Sequence, residues 1–111
     1  MPISAGRLRE RTILQAPDLV ENGRGARKAR EGTDGWREIG RPRAEILPLR
    51  GDEALRLGVE RRVQIWRVTI RRRDEVTAGC RLLWQGKVLE IKSAAPSGDG
   101  TVMTAESGAH G

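Results

Sequence analysis

The chain has 111 residues, of which 21 are Lys or Arg and 15 are Asp or Glu, so its formal net charge is +6. This length predicts a single domain over 1–111 with one modest core, which loses roughly two thirds of its extended-chain surface on folding. A single cysteine excludes an intrachain disulfide and a cysteine-built zinc site, and no apolar run approaches the ~18 residues of a membrane helix.

The first predicted elements are an arm, a strand and a loop. Residues 1–6 contain two chain breakers and predict a flexible arm. Residues 8–15 have the β-branched and apolar character of a strand, and Pro17 ends it because proline has no N–H for a sheet ladder. Four glycines among many charges predict a long mobile loop over 18–35.

The middle of the chain predicts two short strands and the single helix. Residues 36–39 and 44–47 have strand character, and a proline follows each of them. Residues 51–57 predict a helix of about two turns, with Asp52 as its N-cap and Gly58 as its stop. Such a short helix requires tertiary contacts to persist.

Residues 62–71 form the strongest predicted strand. Trp66, Val68 and Ile70 alternate with polar side chains, which indicates one apolar face. Ile65 has the opposite parity, so a bulge or a change of environment is expected near Gln64.

The last third of the chain predicts a hairpin and a final strand. Residues 81–84 and 87–92 read as paired strands about Gln85-Gly86, where glycine supplies the positive φ of a two-residue turn. A turn over 96–100 and a strand over 101–105 follow.

The tail 106–111 is expected to fray. In total, the sequence predicts some six or seven short antiparallel strands, one short helix and a long mobile loop. The predicted fold class is therefore mainly all-β, as a small β-barrel or sandwich.

The residue types of a catalytic site do not come together in this sequence. His110 is the only histidine and lies beside the last residue, where a general base lacks a held geometry. The adjacent acids Asp52-Glu53 and Asp74-Glu75 point in different directions and suit capping or surface solvation. Cys80 suits a small buried side chain better than a reactive thiol. No enzymatic activity, cofactor or metal is expected.

Two basic clusters are candidates for facing a polyanion or an acidic neighbouring ring. The first is the loop set Arg24, Arg27, Lys28 and Arg30, and the second is the strand-end set Arg71, Arg72 and Arg73. The alternative is that both clusters are simply solvated, the first as part of a mobile loop and the second as a strand end.

The three tryptophans allow two interpretations. Exposed aromatic side chains among basic residues stack on the bases of single-stranded nucleic acids. Trp66 and Trp84 lie in the most apolar strands, however, so packing in the core or in an interface is favoured for them over base stacking.

With the strands placed, the order of motifs resembles the phage head-tail adaptor, or head closure, family of siphovirus-type particles and gene transfer agents. The resemblance rests on five passages in order: residues 6–13 (GRLRERTI), Trp36 after the glycine-rich loop, residues 44–54 (AEILPLRGDEA), residues 66–71 (WRVTIR) and residues 81–91 (RLLWQGKVLEI). It covers roughly residues 6 to 93.

This resemblance implies a β-barrel connector, an adaptor or stopper, at the head-tail interface of a phage, prophage or gene transfer agent particle, made in the bacterial cytoplasm. The implied partners are a homo-oligomeric ring (hexamer or dodecamer), portal or adaptor proteins above, tail terminator or tail-tube proteins below, and double-stranded DNA passing without sequence recognition. No membrane partner is expected.

The long loop 18–35 and the segment 49–61 are the best candidates for reaching adjacent rings or the lumen. The candidate channel or ring-contact residues are Arg50, Asp52, Glu53, Arg56, Glu60, Arg61 and Arg62. Deleting residues 52–58 is expected to leave rings intact but to let packaged DNA leak. The competing hypothesis is a basic nucleic-acid-binding β-barrel module, for which the isolated protein would bind short DNA with steep salt dependence.

Overall fold

The computed structural model describes residues 5–21, 23–49 and 63–108, and within these ranges the chain is all-β, as predicted. A 3-10 turn at Ala5–Arg7 is the one helical element of the described ranges. The strands are β1 Glu10–Arg11, β2 Ile13–Pro17, β3 Leu19–Glu21, β4 Arg27–Ala29, β5 Trp36–Gly40, β6 Arg43–Pro48, β7 Gln64–Arg71, β8 Arg81–Trp84, β9 Lys87–Ser97 and β10 Gly100–Ser107. The predicted helix over 51–57 lies outside the described residues.

Eight strands form one curled antiparallel sheet in the order β1-β6-β7-β10-β9-β8-β2-β5. The consecutive strands β1 and β2 explain the curl. Glu10 pairs with Ala44 of β6, whereas Ile13 pairs with Leu83 of β8, so one short segment contacts strands from both halves of the sheet. The sheet therefore curls into a half-barrel.

Thr12 lies at the break between β1 and β2. Its side chain is 3% exposed, and its Oγ1 donates a hydrogen bond of 2.6 Å to the Pro42 carbonyl oxygen. This bond satisfies a buried hydroxyl, which would otherwise be costly, and ties the break to the β5–β6 turn.

The core fills the concave side of the sheet. Val68 and Ile70 of β7 are fully buried, which confirms the predicted apolar face of this strand. On the other face Arg67 and Arg71 are exposed, but Thr69 between them is buried. The largest fully buried side chains of this core are Leu14, Ile70, Leu82, Leu89, Ile91, Met103 and Val68. Burial of such side chains contributes about 25 cal/mol per Å² and dominates the stability of a domain this small.

The hairpin between β8 and β9 forms as predicted. Gln85 has φ 49° and Gly86 has φ 75°, so both turn residues are left-handed. This pair of positive φ values is typical of a type I′ turn, whose twist matches that of the flanking strands.

Three segments differ from the sequence-based expectation. The predicted loop 18–35 contains the separate hairpin β3–β4, the predicted turn 96–100 narrows to Gly98-Asp99, and the predicted frayed tail begins later because β10 continues through Ser107. The hairpin β3–β4, together with the break at Thr12, brings the number of strands within the described ranges to ten, against the expected six or seven.

The expected irregularity near Gln64 has a different location. β7 pairs with β10 in unbroken register from Gln64 to Arg71, and the register shift lies instead between Thr104 and Ala105, where β10 pairs with β9. Ile65 is buried on the face opposite to Trp66. The predicted change of environment near Gln64 is therefore confirmed, and the alternative prediction of a bulge at this position is wrong.

Candidate basic interaction surfaces

The predicted channel or ring-contact residues lie outside the described part of the chain, and their role stays a prediction. They are Arg50, Asp52, Glu53, Arg56, Glu60, Arg61 and Arg62.

The predicted loop cluster lies on the β3–β4 hairpin and its flanks. Arg27 and Lys28 are exposed on β4, and Arg24 is exposed in the turn between Gly23 and Gly25, whose φ values are 80° and 81°. The two glycines give the turn its left-handed backbone at no steric cost. An isolated two-stranded hairpin is only marginally stable in water, so it requires support at its base.

Contacts between Asp18, Arg30 and Gly35 hold the base of this hairpin. The Asp18 N–H donates to the Gly35 carbonyl oxygen at 2.7 Å, and the Arg30 N–H donates to the Asp18 carbonyl oxygen at 3.2 Å. The Arg30 guanidinium also binds the Asp18 carboxylate at 3.1 Å. Arg30 therefore has a structural partner within the chain, whereas Arg27 and Lys28 point into solvent with no ion pair to a described residue.

The predicted strand-end cluster Arg71, Arg72 and Arg73 separates into different environments. Arg72 binds Asp74 at 2.9 Å, and Arg73 binds Glu75 at 2.6 Å. The Arg73 guanidinium also donates to the Ile39 carbonyl oxygen at 3.1 Å and packs so closely on Gly40 that an added Cβ there would lie 2.6 Å from it. Arg73 thus connects the β7 end to β5, and Arg71 alone of the three has no ion pair to a described residue.

The sheet register brings Arg71 beside two arginines that the sequence analysis did not select. Arg11 of β1 pairs directly with Arg43 of β6. Ala44 pairs with Ile70, and continuing that register by one residue places Arg43 opposite Arg71. Directly opposed residues share one face of a sheet, and all three are exposed. We call Arg11, Arg43 and Arg71 the arginine row.

Two open grooves adjoin the arginine row and share Arg43. One, of about 550 Å³, is lined by Arg11, Arg41 and Arg43 together with Leu83 and Trp84. The other, of about 670 Å³, is lined by Arg43, by the strand-end set Arg71, Arg72 and Arg73, and by Asp74 and Glu75, which pair with Arg72 and Arg73. The row therefore lies on an accessible, strongly basic surface.

The acids on the same strands as Arg11 and Arg43 already have partners. Glu45, two residues along β6 from Arg43, accepts hydrogen bonds of 3.0 and 2.8 Å from Arg7. These bonds hold the pKa of the Glu45 carboxyl below its usual value, and the coulombic attraction of Arg7 acts in the same direction. Glu10 accepts a hydrogen bond of 2.8 Å from the indole of Trp84. No described carboxylate forms an ion pair with the row.

The Arg7–Glu45 pair predicts a small pH dependence of stability. Because the pKa of Glu45 is lower in the folded state, the pair stabilises the fold above the unfolded pKa, and that contribution disappears as the pH falls through the folded pKa. Arg7 is solvent-exposed, so the effect is small. In thermal melts at pH 7, Glu45→Gln should lower Tm by no more than about 2 °C, and the difference from wild type should vanish near pH 3. A difference that grows towards acid would contradict this assignment.

The tryptophans have packing roles, as favoured by the sequence. The rings of Trp66 and Trp84 meet edge-to-face with centroids 5.3 Å apart, and both pack against the core. The Trp66 indole donates to Ser107 Oγ at 2.9 Å. Trp36 is half-buried under the guanidinium of Arg81, which lies 4.1 Å from its ring centroid.

Within the described ranges, no group of three or more His, Cys, Asp or Glu side chains has the arrangement of a metal site. In the same ranges, no helix has the length and apolar character needed to cross a membrane. Cys80 is buried, as expected, with its Sγ 3.8 Å from the hydroxyl of Thr77.

Comparison with known proteins gives a family match and a structural match. Residues 3–106 match the family described as phage head completion protein. Among solved structures, the solution structure of protein SF1141 from Shigella flexneri 2a is similar, with a TM-score of 0.72 at 21% identity over 98% of this chain and 100% of that one. At this identity the similarity shows the fold alone. No curated protein matches the chain.

Proposed function

This chain belongs to the phage head completion protein family, and from that premise we propose that it is a connector subunit, an adaptor or stopper, that joins the portal-adaptor complex to the tail and helps to retain or pass DNA in the channel. Membership gives the chain a structural role in the phage head and a location in the phage particle. The connector position, the ring and the DNA channel are the proposed part.

The family match over nearly the whole chain carries this proposal. Two features of the described residues support it. The sheet is a rigid half-barrel, and the β3–β4 hairpin is a separate two-stranded sheet with an exposed β4. A subunit of a head-to-tail ring requires such an element to reach a neighbour, and a closed ring forms when the rotation between subunits closes.

Loss of the chain from the particle tests the connector role. Phage or phage-like particles assembled without it should accumulate as heads that lack tails or have lost DNA, and expression of the chain in trans should restore tailed, filled particles. Electron microscopy and nuclease protection of packaged DNA provide the two measurements. Tailed, DNA-filled particles at normal yield without the chain would contradict the proposal.

The hairpin gives a more local prediction. Reversing two exposed charges of β4 with R27E/K28E should reduce the yield of tailed particles about tenfold, because a charged contact across an interface becomes repulsive. The purified variant should melt within about 2 °C of wild type, since both side chains are exposed.

The control is R37E/R67E, which reverses two exposed strand arginines that have no ion pair to a described residue. It makes the same change in net charge on the main sheet and should leave the yield within about twofold. Equal losses in both variants would assign the effect to net charge and overturn the role of the hairpin.

A further inference from the structure

We propose that the arginine row binds phosphates of the DNA backbone, so that Arg11, Arg43 and Arg71 form a sequence-independent contact between this subunit and double-stranded DNA. The inference deepens the proposed function and rests on it for the identity of the polyanion. The sheet register, the partners of the surrounding charges and the two grooves beside Arg43 support it.

The arginine row places like charges side by side, which is unfavourable for the isolated chain. Residues directly opposed on neighbouring antiparallel strands have Cβ atoms about 5 Å apart, and like charges at that distance destabilise a sheet. Arg11 opposes Arg43, and Arg43 opposes Arg71, so the central arginine has a like charge on each side. A ligand that supplies negative charge along the row removes this repulsion.

Six other described arginines are engaged by acids within the chain, whereas the row, like the exposed Arg37 and Arg67, has no ion pair to a described residue; the row differs from these two in bringing three arginines together. Ion pairs with described carboxylates engage Arg7, Arg30, Arg41, Arg72, Arg73 and Arg81. The row has no such pair, and its closest acid on β6, Glu45, is bound to Arg7. The row therefore offers three guanidinium groups to an external anion.

The size of the row suits a nucleic-acid backbone. Neighbouring strands lie about 4.8 Å apart, so the row spans about 10 Å from Arg11 to Arg71. Duplex DNA carries one charge per ~1.7 Å of axis, hence about six phosphates over that length. These phosphates belong to both strands, and the long arginine side chains reach those that face the sheet, where guanidinium groups bind phosphate oxygens in a bidentate manner.

The surroundings leave room for a bulky backbone. Along the sheet the row continues from Arg71 to Gly100 and then to Ser97, which add neither a large side chain nor an acid. The grooves on both sides of Arg43 are open. These features favour a phosphate backbone as the occupant.

A second copy of the chain is a poorer occupant, because most described acids are already engaged. Ion pairs involve Asp18, Asp34, Glu38, Glu45, Asp74, Glu75, Glu90 and Glu106. Contact between any of these eight acids and the row would require an existing ion pair to break.

Binding of a 30-base-pair duplex of arbitrary sequence to the purified full chain tests the inference. We expect fluorescence anisotropy to give a plot of log K against log[NaCl] with a slope of about −2.7, because each of three phosphate contacts contributes about −0.9. Affinity should then fall about 40-fold between 50 and 200 mM salt. The variant R11Q/R43Q/R71Q should lose nearly all of this salt-dependent binding.

The matched control R37Q/R67Q/K87Q removes the same charge from exposed strand positions outside the row and should keep the slope. The row variant should also melt at the wild-type temperature or about 2–4 °C above it, since repulsion is relieved. Should the triple variant fail to fold, the single variant Arg43→Gln provides the test, with a slope lower by about one contact.

Equal losses in the row variant and in the control would overturn the inference, as would wild-type DNA binding by the row variant. If that DNA-binding variant fails to attach tails, the row contacts an acidic protein surface instead and the inference is wrong. The two proposals can also be separated. If particles assembled without the chain lack tails, but the purified chain has no affinity for DNA, the connector role stands and only the DNA contact of the row is wrong. A slope of −6 or steeper, with tails attached normally without the chain, would favour the nucleic-acid-binding module.

Discussion

Replacing Leu82 by alanine is expected to lower the free energy of unfolding by about 3 kcal/mol, because the substitution removes buried methyl groups and leaves a cavity that the sheet only partly closes. Leu82 is 0% exposed on β8, where it pairs with Leu89 of β9. Domains of this size have only 5–15 kcal/mol of stability in total, on the order of 0.1 kcal/mol per residue. A single cavity therefore removes a large share of it, and Tm should fall by about 15 °C.

Leu47 provides the matched control for this change. It is the same residue type on β6, but 46% of it is exposed. Leu47→Ala should therefore cost less than about 1 kcal/mol in a urea titration of the purified chain, with the same m-value as wild type. If the two alanine variants lost similar stability, the concave side of the sheet would not be the core of the protein in solution.

The parts of the fold that sequence reasoning predicted correctly are those in which local pattern and turn chemistry agree. The alternation of Val68 and Ile70 with polar residues predicted β7, and Gln85-Gly86 predicted the hairpin turn. In both cases the signal is carried by neighbours in sequence, because side-chain period and positive φ are local properties.

The second half of β9 carries no such local signal. Residues 93–96 read Ser-Ala-Ala-Pro, yet the strand continues to Ser97 because β10 pairs with it throughout. Pro96 is tolerated there because β8 pairs with β9 only as far as Glu90, so the other side of the strand has no ladder partner at that point among the described strands. Long-range pairing overrides local propensity in such a strand.

The β3–β4 hairpin was missed for a related reason. Leu19, Val20 and Glu21 pair with a strand of charged residues that has no apolar alternation. The contacts of Asp18 with Arg30 and Gly35 hold the base of the hairpin together. These contacts depend on how the two strands are paired, which amino-acid composition does not predict. Glycine and charge content alone predicted a loop.

The arginine row shows the same limit for a candidate site. Arg71 was selected because it begins a run of three arginines, whereas Arg11 and Arg43 stand alone in sequence and carried no signal. Their proximity follows from the pairing of β1 with β6 and of β6 with β7. Conversely, Arg72 and Arg73 were candidates because they belong to the same run of arginines, but each forms an ion pair with the carboxylate two residues further along the chain. A run of charges in the sequence therefore predicts a basic surface, but the strand register determines which arginines of that surface lie together without an acidic partner among the described residues.

The second large effect is expected at Trp84, which packs across the concave side of the sheet against Trp66. Trp84→Ala should cost about 3–4 kcal/mol, because it removes an aromatic side chain from the core margin, breaks the 5.3 Å edge-to-face contact and deprives Glu10 of the indole donor 2.8 Å away. β7 and β8 are separated in the sheet by β10 and β9, so this contact joins strands that do not pair.

Trp84→Phe separates the contributions to this effect. It keeps an aromatic ring against Trp66 but removes the N–H that binds the Glu10 carboxylate, and we expect a cost of about 1–2 kcal/mol. A double-mutant cycle between Trp84→Ala and Trp66→Ala in urea should then give a coupling free energy of about 1 kcal/mol, since edge-to-face pairs contribute that much beyond area burial. Additive losses would mean that the two rings stabilise their own strands independently, and the curl of the sheet would then depend on the β1–β2 segment and its Thr12 bond instead.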